Sequence, residues 1–284
     1  MTQLTTIDTN NYAAMAELTG IASEGKGGKG STLARMRINH SPILGDESIL
    51  VKGGTYKLDI PDGPTYYSPS IKVRIFMQRF MYKRWTSDGF VKTLMANNLE
   101  VDLKDNFGGF NCGKPAGYIK DFKALKPALQ ELIKQTKRVR AVFGTVEMSN
   151  TVDEKGKKVS VEPTPFIWEI DNREAFDELG NTFKQLAKMQ RLPMQHPITL
   201  NTDERKLQTG GKYYVPVSSL DLTTTMEMDS ADQELAGDFL SWIENYNSYI
   251  ANAWAEKKAS QMMDEEDNDI VDDLVEIEVD EEVA

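Results

Sequence analysis

One run, "YYSPSIKVRIFMQRFMYKRW" over residues 66–85, constrains the fold more than any other. Its density of β-branched and aromatic residues makes it the longest strand candidate in the chain, a central ribbon for the rest to be arranged around. With side chains alternating across a strand, Ile71, Val73, Ile75, Met77 and Met81 share one side and Lys72, Arg74, Phe76, Gln78, Phe80, Tyr82 and Arg84 the other. The first is an ordinary core side. The second interleaves cations with rings, and Lys72 and Arg74 are expensive to bury without partners. That mixture suits unpaired nucleic acid, because bases stack on Phe and Tyr at about 1–3 kcal/mol each while their phosphates seek Lys and Arg. Duplex DNA hides its base faces, so the implied ligand is single-stranded. The competing reading is a sheet covered on both sides, with Phe76, Phe80 and Tyr82 a second buried layer and the basic ends reaching out to solvent.

The flanking sequence reads as strands with helices packed on them. "STLARMRINHSPIL" and "SILVKGGTYKLDI" form a meander, and "FVKTLMANNLEVDL" adds a further strand. "KRVRAVFGTVEM" and "VEPTPFIWEI" form a hairpin across the polar turn 153–158, and "KYYVPVSSLDL" returns to strand. A helix is expected at about residues 121–135. Phe176, Leu179, Phe183 and Leu186 recur at helical spacing, and a final helix opens on a Ser230/Gln233 capping box with Leu235, Phe239, Trp242, Ile243, Tyr246, Ile250 and Trp254 on one side. The expected organisation is an N-terminal helix and flexible Gly-Lys hinge at 1–32, a β-rich nucleic-acid-binding domain at 33–262, and a disordered acidic tail at 263–284.

Charge is distributed unevenly. The net charge is −11 from 44 acids and 33 bases, but twelve of the acids fall between residues 264 and 284, where there is no base. Removing them leaves 32 acids against 33 bases, so the body is close to neutral and the acidity is an appendage. Within the body, "GKPAGYIKDFKALK" and "KQTKRVR" are positive islands in which Tyr118 and Phe122 interleave with Lys114, Lys120 and Lys123, followed by Arg138 and Arg140. A tethered acidic tail beside a basic aromatic groove can compete with weak nucleic-acid contacts until a strand engaging several phosphates displaces it.

Several classes are disfavoured. "SEGKGGKGST" separates its Lys29 from Ser31 by a glycine, so ammonium and hydroxyl are not presented as a phosphate-cradling nucleotidase loop requires. One cysteine, Cys112, and two histidines, His40 and His196, provide no zinc framework, and no metal or cofactor is expected. No apolar run is long enough for a membrane span, so a soluble, cytoplasmic protein without membrane contact is expected. A nuclease reading would use Asp62, Asp102 and Lys104 around magnesium, although Asp62 sits in a Pro-Asp-Gly turn that favours Asp for backbone reasons. A structural protein or inhibitor whose acidic end mimics DNA is the third reading.

From "IKVRIFMQRFMYKRW" to "DLVEIEVDEEVA", the layout of the chain resembles that of the single-stranded DNA-binding proteins of tailed bacteriophages. The resemblance implies a mainly β, OB-fold-like antiparallel barrel or sheet elaborated with helices, acting without catalysis in DNA replication and recombination in the host cytoplasm. It also implies that residues 264–284 contact the replication polymerase and helicase-primase. Several such tails end in an aromatic residue, whereas this one ends Glu282, Val283, Ala284. The expected contacts are Lys72, Arg74, Arg84, Lys120, Arg138 and Arg140 to phosphates and Phe76, Phe80 and Tyr82 to bases, with Lys114 and Tyr118 also in the nucleic-acid-binding set and a homodimer left open.

Overall fold

The computed structural model describes residues 33–279 apart from Glu47, Asp88 and Tyr118, with side chains described as far as Gln261. The expected N-terminal helix and Gly-Lys hinge lie outside the described residues. In chain order the elements are β1 (Ala34–Asn39), β2 (Ile43–Leu44), β3 (Ile49–Val51), β4 (Thr55–Asp59), β5 (Thr65–Ser68), β6 (Ser70–Thr86) and β7 (Gly89–Lys92). They continue with α1 (Pro127–Gln135), β8 (Lys137–Ser149), β9 (Val152–Asp153), β10 (Thr164–Ile170), α2 (Arg173–Lys188), β11 (Ile198–Lys206), β12 (Lys212–Leu220) and α3 (Ser230–Val279). Ten strands make one sheet in the order β12-β11-β6-β8-β10-β1-β4-β5-β9, with β7 paired to the end of β6 and β2 and β3 forming a separate two-stranded sheet. The fold is mainly β, as the sequence pattern indicates. The sheet is mixed rather than antiparallel throughout, because β1 runs parallel to β10, and no ladder closes it into a barrel among the described residues. It curls instead: the Tyr56 hydroxyl donates to Asn201 O at 3.0 Å and the Tyr214 N–H to His40 Nδ1 at 3.1 Å, drawing the β4 end towards β11 and β12.

Local chemistry explains several boundaries. The hairpin of β8 and β10 forms as expected. α1 begins at Pro127, later than residue 121, because the Asp121 carboxylate accepts from the backbone of Lys123 and Ala124 and holds that segment in a turn, while Pro127 suits a first helical position. β11 has no counterpart among the expected strands: only Ile198 and Leu200 are buried in its first half, and "TDERK" conceals its second. α3 opens on a capping box one residue earlier than Ser230/Gln233, with Asp229 Oδ1 accepting from Asp232 N at 2.8 Å and Asp232 Oδ2 accepting from Asp229 N at 3.3 Å. Its helical backbone continues to Val279, into the run expected to be disordered in isolation. Extending a helix that is already docked requires no new nucleus. Among the described residues no helix is long and apolar enough to cross a membrane.

The decisive irregularity lies in β6. Ile75 pairs with Gly144 and Met77 with Phe143, so Phe76 is an extra residue, a β-bulge, and the alternation changes phase there. Ile71, Val73 and Ile75 point to the side covered by α2, where they meet Val142, Val146, Phe166, Leu179 and Phe183. Past the bulge Phe80 and Tyr82 share that side. Phe76, Met77 and Met81 pack on the opposite side, against Phe239 and Ile243 of α3. The bulge accompanies a close approach: a Cβ on Gly144 would lie 2.1 Å from the Arg74 carbonyl oxygen. Gly144→Ala is therefore expected to destabilise the protein by about 3 kcal/mol in denaturant unfolding. Gly237→Ala, at an exposed helical position with nothing within 4 Å among the described residues, is expected to stabilise by about 0.5–1 kcal/mol.

Candidate nucleic-acid interface

The phase change divides the expected binding residues between the two sides of the sheet. Lys72 is exposed on the α3 side. Arg74, on the same side, is committed to holding α3: Nε donates to Met194 O at 2.7 Å, Nη2 to Glu227 O at 3.1 Å, and Nη1 pairs with the Asp232 carboxylate at 2.7 Å. It is a structural clamp rather than the expected phosphate contact, and its mid-strand charge is satisfied internally. Phe76 is 5 % exposed with its ring 6.0 Å from that of Phe239, so it is core and offers no surface to a base.

The α2 side brings four of the others together. Phe80, Tyr82, Lys114 and Arg138 line one cleft of about 530 Å³, closed by Leu99, Phe122, Ile133 and Phe176. The Phe80 and Phe176 rings are half-buried and 5.9 Å apart. The Arg138 guanidinium lies 5.3 Å from the Phe176 centroid. Arg140 lies behind the rings, 5.0 Å from Phe80, 4.4 Å from Phe176 and 5.6 Å from Phe183. Its Nη1 donates to Gln78 Oε1, its Nε has no partner among the described residues, and burial pulls its pKa down to about 10 despite the opposing charge of Asp177. Gly180 of α2 makes room for it, since a Cβ there would be 2.7 Å from Nη2. Arg140 is thus a buried cation facing rings rather than a surface phosphate ligand.

Tyr82 forms the cleft floor. At 1 % exposed it cannot intercalate between bases, and its hydroxyl donates to Leu99 O at 3.4 Å. The Lys114 ammonium lies 4.9 Å from the Tyr82 centroid and donates to Pro115 O at 3.0 Å; burial, and then the neighbouring charge of Arg138, hold its pKa below the ordinary lysine value. Among the described residues Glu100 is the single acid lining the cleft. Arg84 follows on the same side and donates from Nε to Cys112 O at 3.0 Å. Lys120 is exposed beside the rim residue Ile119, and Tyr118 lies outside the described residues. Phe176 reads in the sequence as part of a helix core face, and its spacing to Leu179 and Phe183 gives no sign that it stands at the exposed end of that face.

The residues of the nuclease reading have structural engagements. Asp62 occupies the turn between β4 and β5 with φ of 53°, Asp102 accepts from Asn111 Nδ2 at 2.6 Å, and the Lys104 ammonium sits 4.1 Å from the Trp254 ring. Among the described residues no three His, Cys, Asp or Glu side chains converge as a metal site requires. Cys112 is buried, and burial, reinforced by Asp105, pushes its thiol up to about 12.

Compared with known protein families, curated proteins and solved structures, the chain matches none. The division of roles is measurable. Phe76→Ala is expected to lower stability by about 3–5 kcal/mol in thermal or denaturant unfolding, as for removal of a buried core ring, and to leave oligonucleotide affinity unchanged at temperatures where the variant is folded.

Proposed function

We propose that the protein binds single-stranded DNA without sequence preference, coating and protecting it during phage replication or recombination, with no catalytic step. The observation that carries this reading is the pair of half-buried rings, Phe80 and Phe176, opening into a 530 Å³ cleft beside Arg138 and Lys114. Such a cleft holds an unpaired base against a ring face while cations at its rim meet the flanking phosphates. A paired base cannot enter it without leaving its stack. The hydrogen-bonding groups at its wall, Asn98, Glu100 and backbone oxygens, are few compared with the ring surface, which favours stacking over base readout. In the same reading the acidic residues 264–284 compete for the cationic rim in the free protein. Once displaced, they are available to basic patches on the replication polymerase and helicase-primase.

Fluorescence anisotropy with a labelled oligothymidylate tests this directly. The full chain is expected to bind, to bind more tightly when cut after Met263, and to weaken with salt at a log-log slope of about −0.7 per phosphate contacted. Lys114→Ala with Arg138→Ala is expected to reduce affinity at least about tenfold and flatten that slope by roughly 1.4. A protein that binds no oligonucleotide in either form, as a DNA mimic would behave, overturns the proposal, as does magnesium-dependent loss of the probe.

A further inference from the structure

A second cationic and aromatic surface lies at the far end of β6. β8 begins at Lys137, opposite Lys83, so Arg84, Trp85 and Thr86 extend past their neighbour and continue into β7 as a projecting hairpin. Thr86 Oγ1 donates to Gly89 O at 2.9 Å and closes the turn. On the hairpin Trp85 pairs across the ladder with Phe90, the ring centroids 5.3 Å apart at 67°. Trp85 is 69 % exposed and Phe90 40 %, whereas the other three tryptophans are packed: Trp168 is in the core, Trp242 stacks on Tyr246, and Trp254 lies against Phe110 and Lys104.

The charge around these rings has one dominant sign. Lys83 and Lys92 face each other in the ladder, their ammoniums 5.9 and 5.3 Å from the Phe90 centroid, with Lys137 next across the sheet from Lys83. Glu169 pairs with Lys83, and Lys92 has no ion pair among the described residues. Two adjacent exposed rings form an apolar patch of the kind that marks an interaction site, and flanking lysines select an anionic, flat-ringed partner over an apolar one.

We infer that the β6–β7 hairpin is a second stacking platform for single-stranded nucleic acid, in which Trp85 and Phe90 take an unpaired base and Lys92 meets its phosphate. This rests on the single-strand reading above and extends it from one cleft to a path. Phe80 and Trp85 are five residues apart on one strand, about 17 Å at strand spacing, and lie on opposite sides of it. A strand leaving the cleft therefore has to turn around the projecting end of the sheet to reach the hairpin, where it meets rings again.

Trp85 is its own reporter. Titration of the full chain with an oligothymidylate of about 16 nucleotides, at the upper end of the site size of a single OB-type module, is expected to quench tryptophan emission in the wild type. Trp85→Ala is expected to abolish most of that quenching, to weaken binding by about 5- to 150-fold, and to leave the melting temperature unchanged because the side chain is exposed. Trp85→Phe should restore most of the affinity, and Lys92→Ala should flatten the salt slope by about 0.7. Normal binding by Trp85→Ala with normal quenching overturns the platform and leaves the cleft standing. A wild type that does not bind overturns both. A change of molar mass in light scattering for Trp85→Ala, with DNA affinity intact, makes the hairpin a self-association surface and overturns the platform as well.

Discussion

The contact between the Gly144 backbone and the Arg74 carbonyl governs much of this structure. Only a residue without a Cβ lets β8 lie that close to β6, and the accommodated strand carries one extra residue, Phe76. A period of two that slips by one exchanges every later side chain between the sides of the sheet. Without the slip, Phe80 and Tyr82 would sit under α3 with the core of Phe239, and Met81 would face the cleft. With it, each half of β6 presents a different chemistry to each covering helix, and one strand builds two separate surfaces.

How much was legible in the sequence follows from that slip. The long strand, the β8–β10 hairpin, the amphipathic α2 and the docking face of α3 were readable, because each is carried by local periodicity and turn chemistry. The grouping of Phe80, Tyr82, Lys114 and Arg138 also emerged, since those residues lie after the bulge or on segments that do not depend on its phase. Lys72, Arg74 and Phe76 lie on the side opposite the cleft because strict alternation breaks at residue 76, and "RIFMQ" bears no glycine or other local mark of a bulge. The mark is on the partner strand, in "VFGTV", where a glycine interrupts an otherwise apolar run. Phe176 and Trp85 escape notice for a shared reason: one sits in a helical repeat read as core, and the other falls by alternation on the side of the strand that carries Ile71, Val73 and Ile75.

The cleft has an unusual support. Arg140 places a guanidinium among three phenylalanine rings with Gln78 as its polar partner, and no ion pair to it occurs among the described residues. A buried cation of this kind is tolerable because ring faces are weakly negative and because a guanidinium is less strongly hydrated than an ammonium. Its effect on the site is to fix the tilt of Phe80 and Phe176 from behind and to add positive potential under their exposed faces. Gly180 supplies the space, which accounts for a glycine in the middle of an otherwise regular helix.

The Arg74 clamp has a consequence for how the chain reaches this state. Its partners Met194, Glu227 and Asp232 are 120, 153 and 158 residues further along the sequence. During synthesis the α2 half of the core can assemble while the ribosome is still working, but Phe76, Met81 and Phe143 stay wet until the last fifth of the polypeptide has emerged. A premature stop anywhere before α3 leaves an open, oily sheet surface with an uncompensated guanidinium at its margin, a species for chaperones and proteases rather than a smaller working protein.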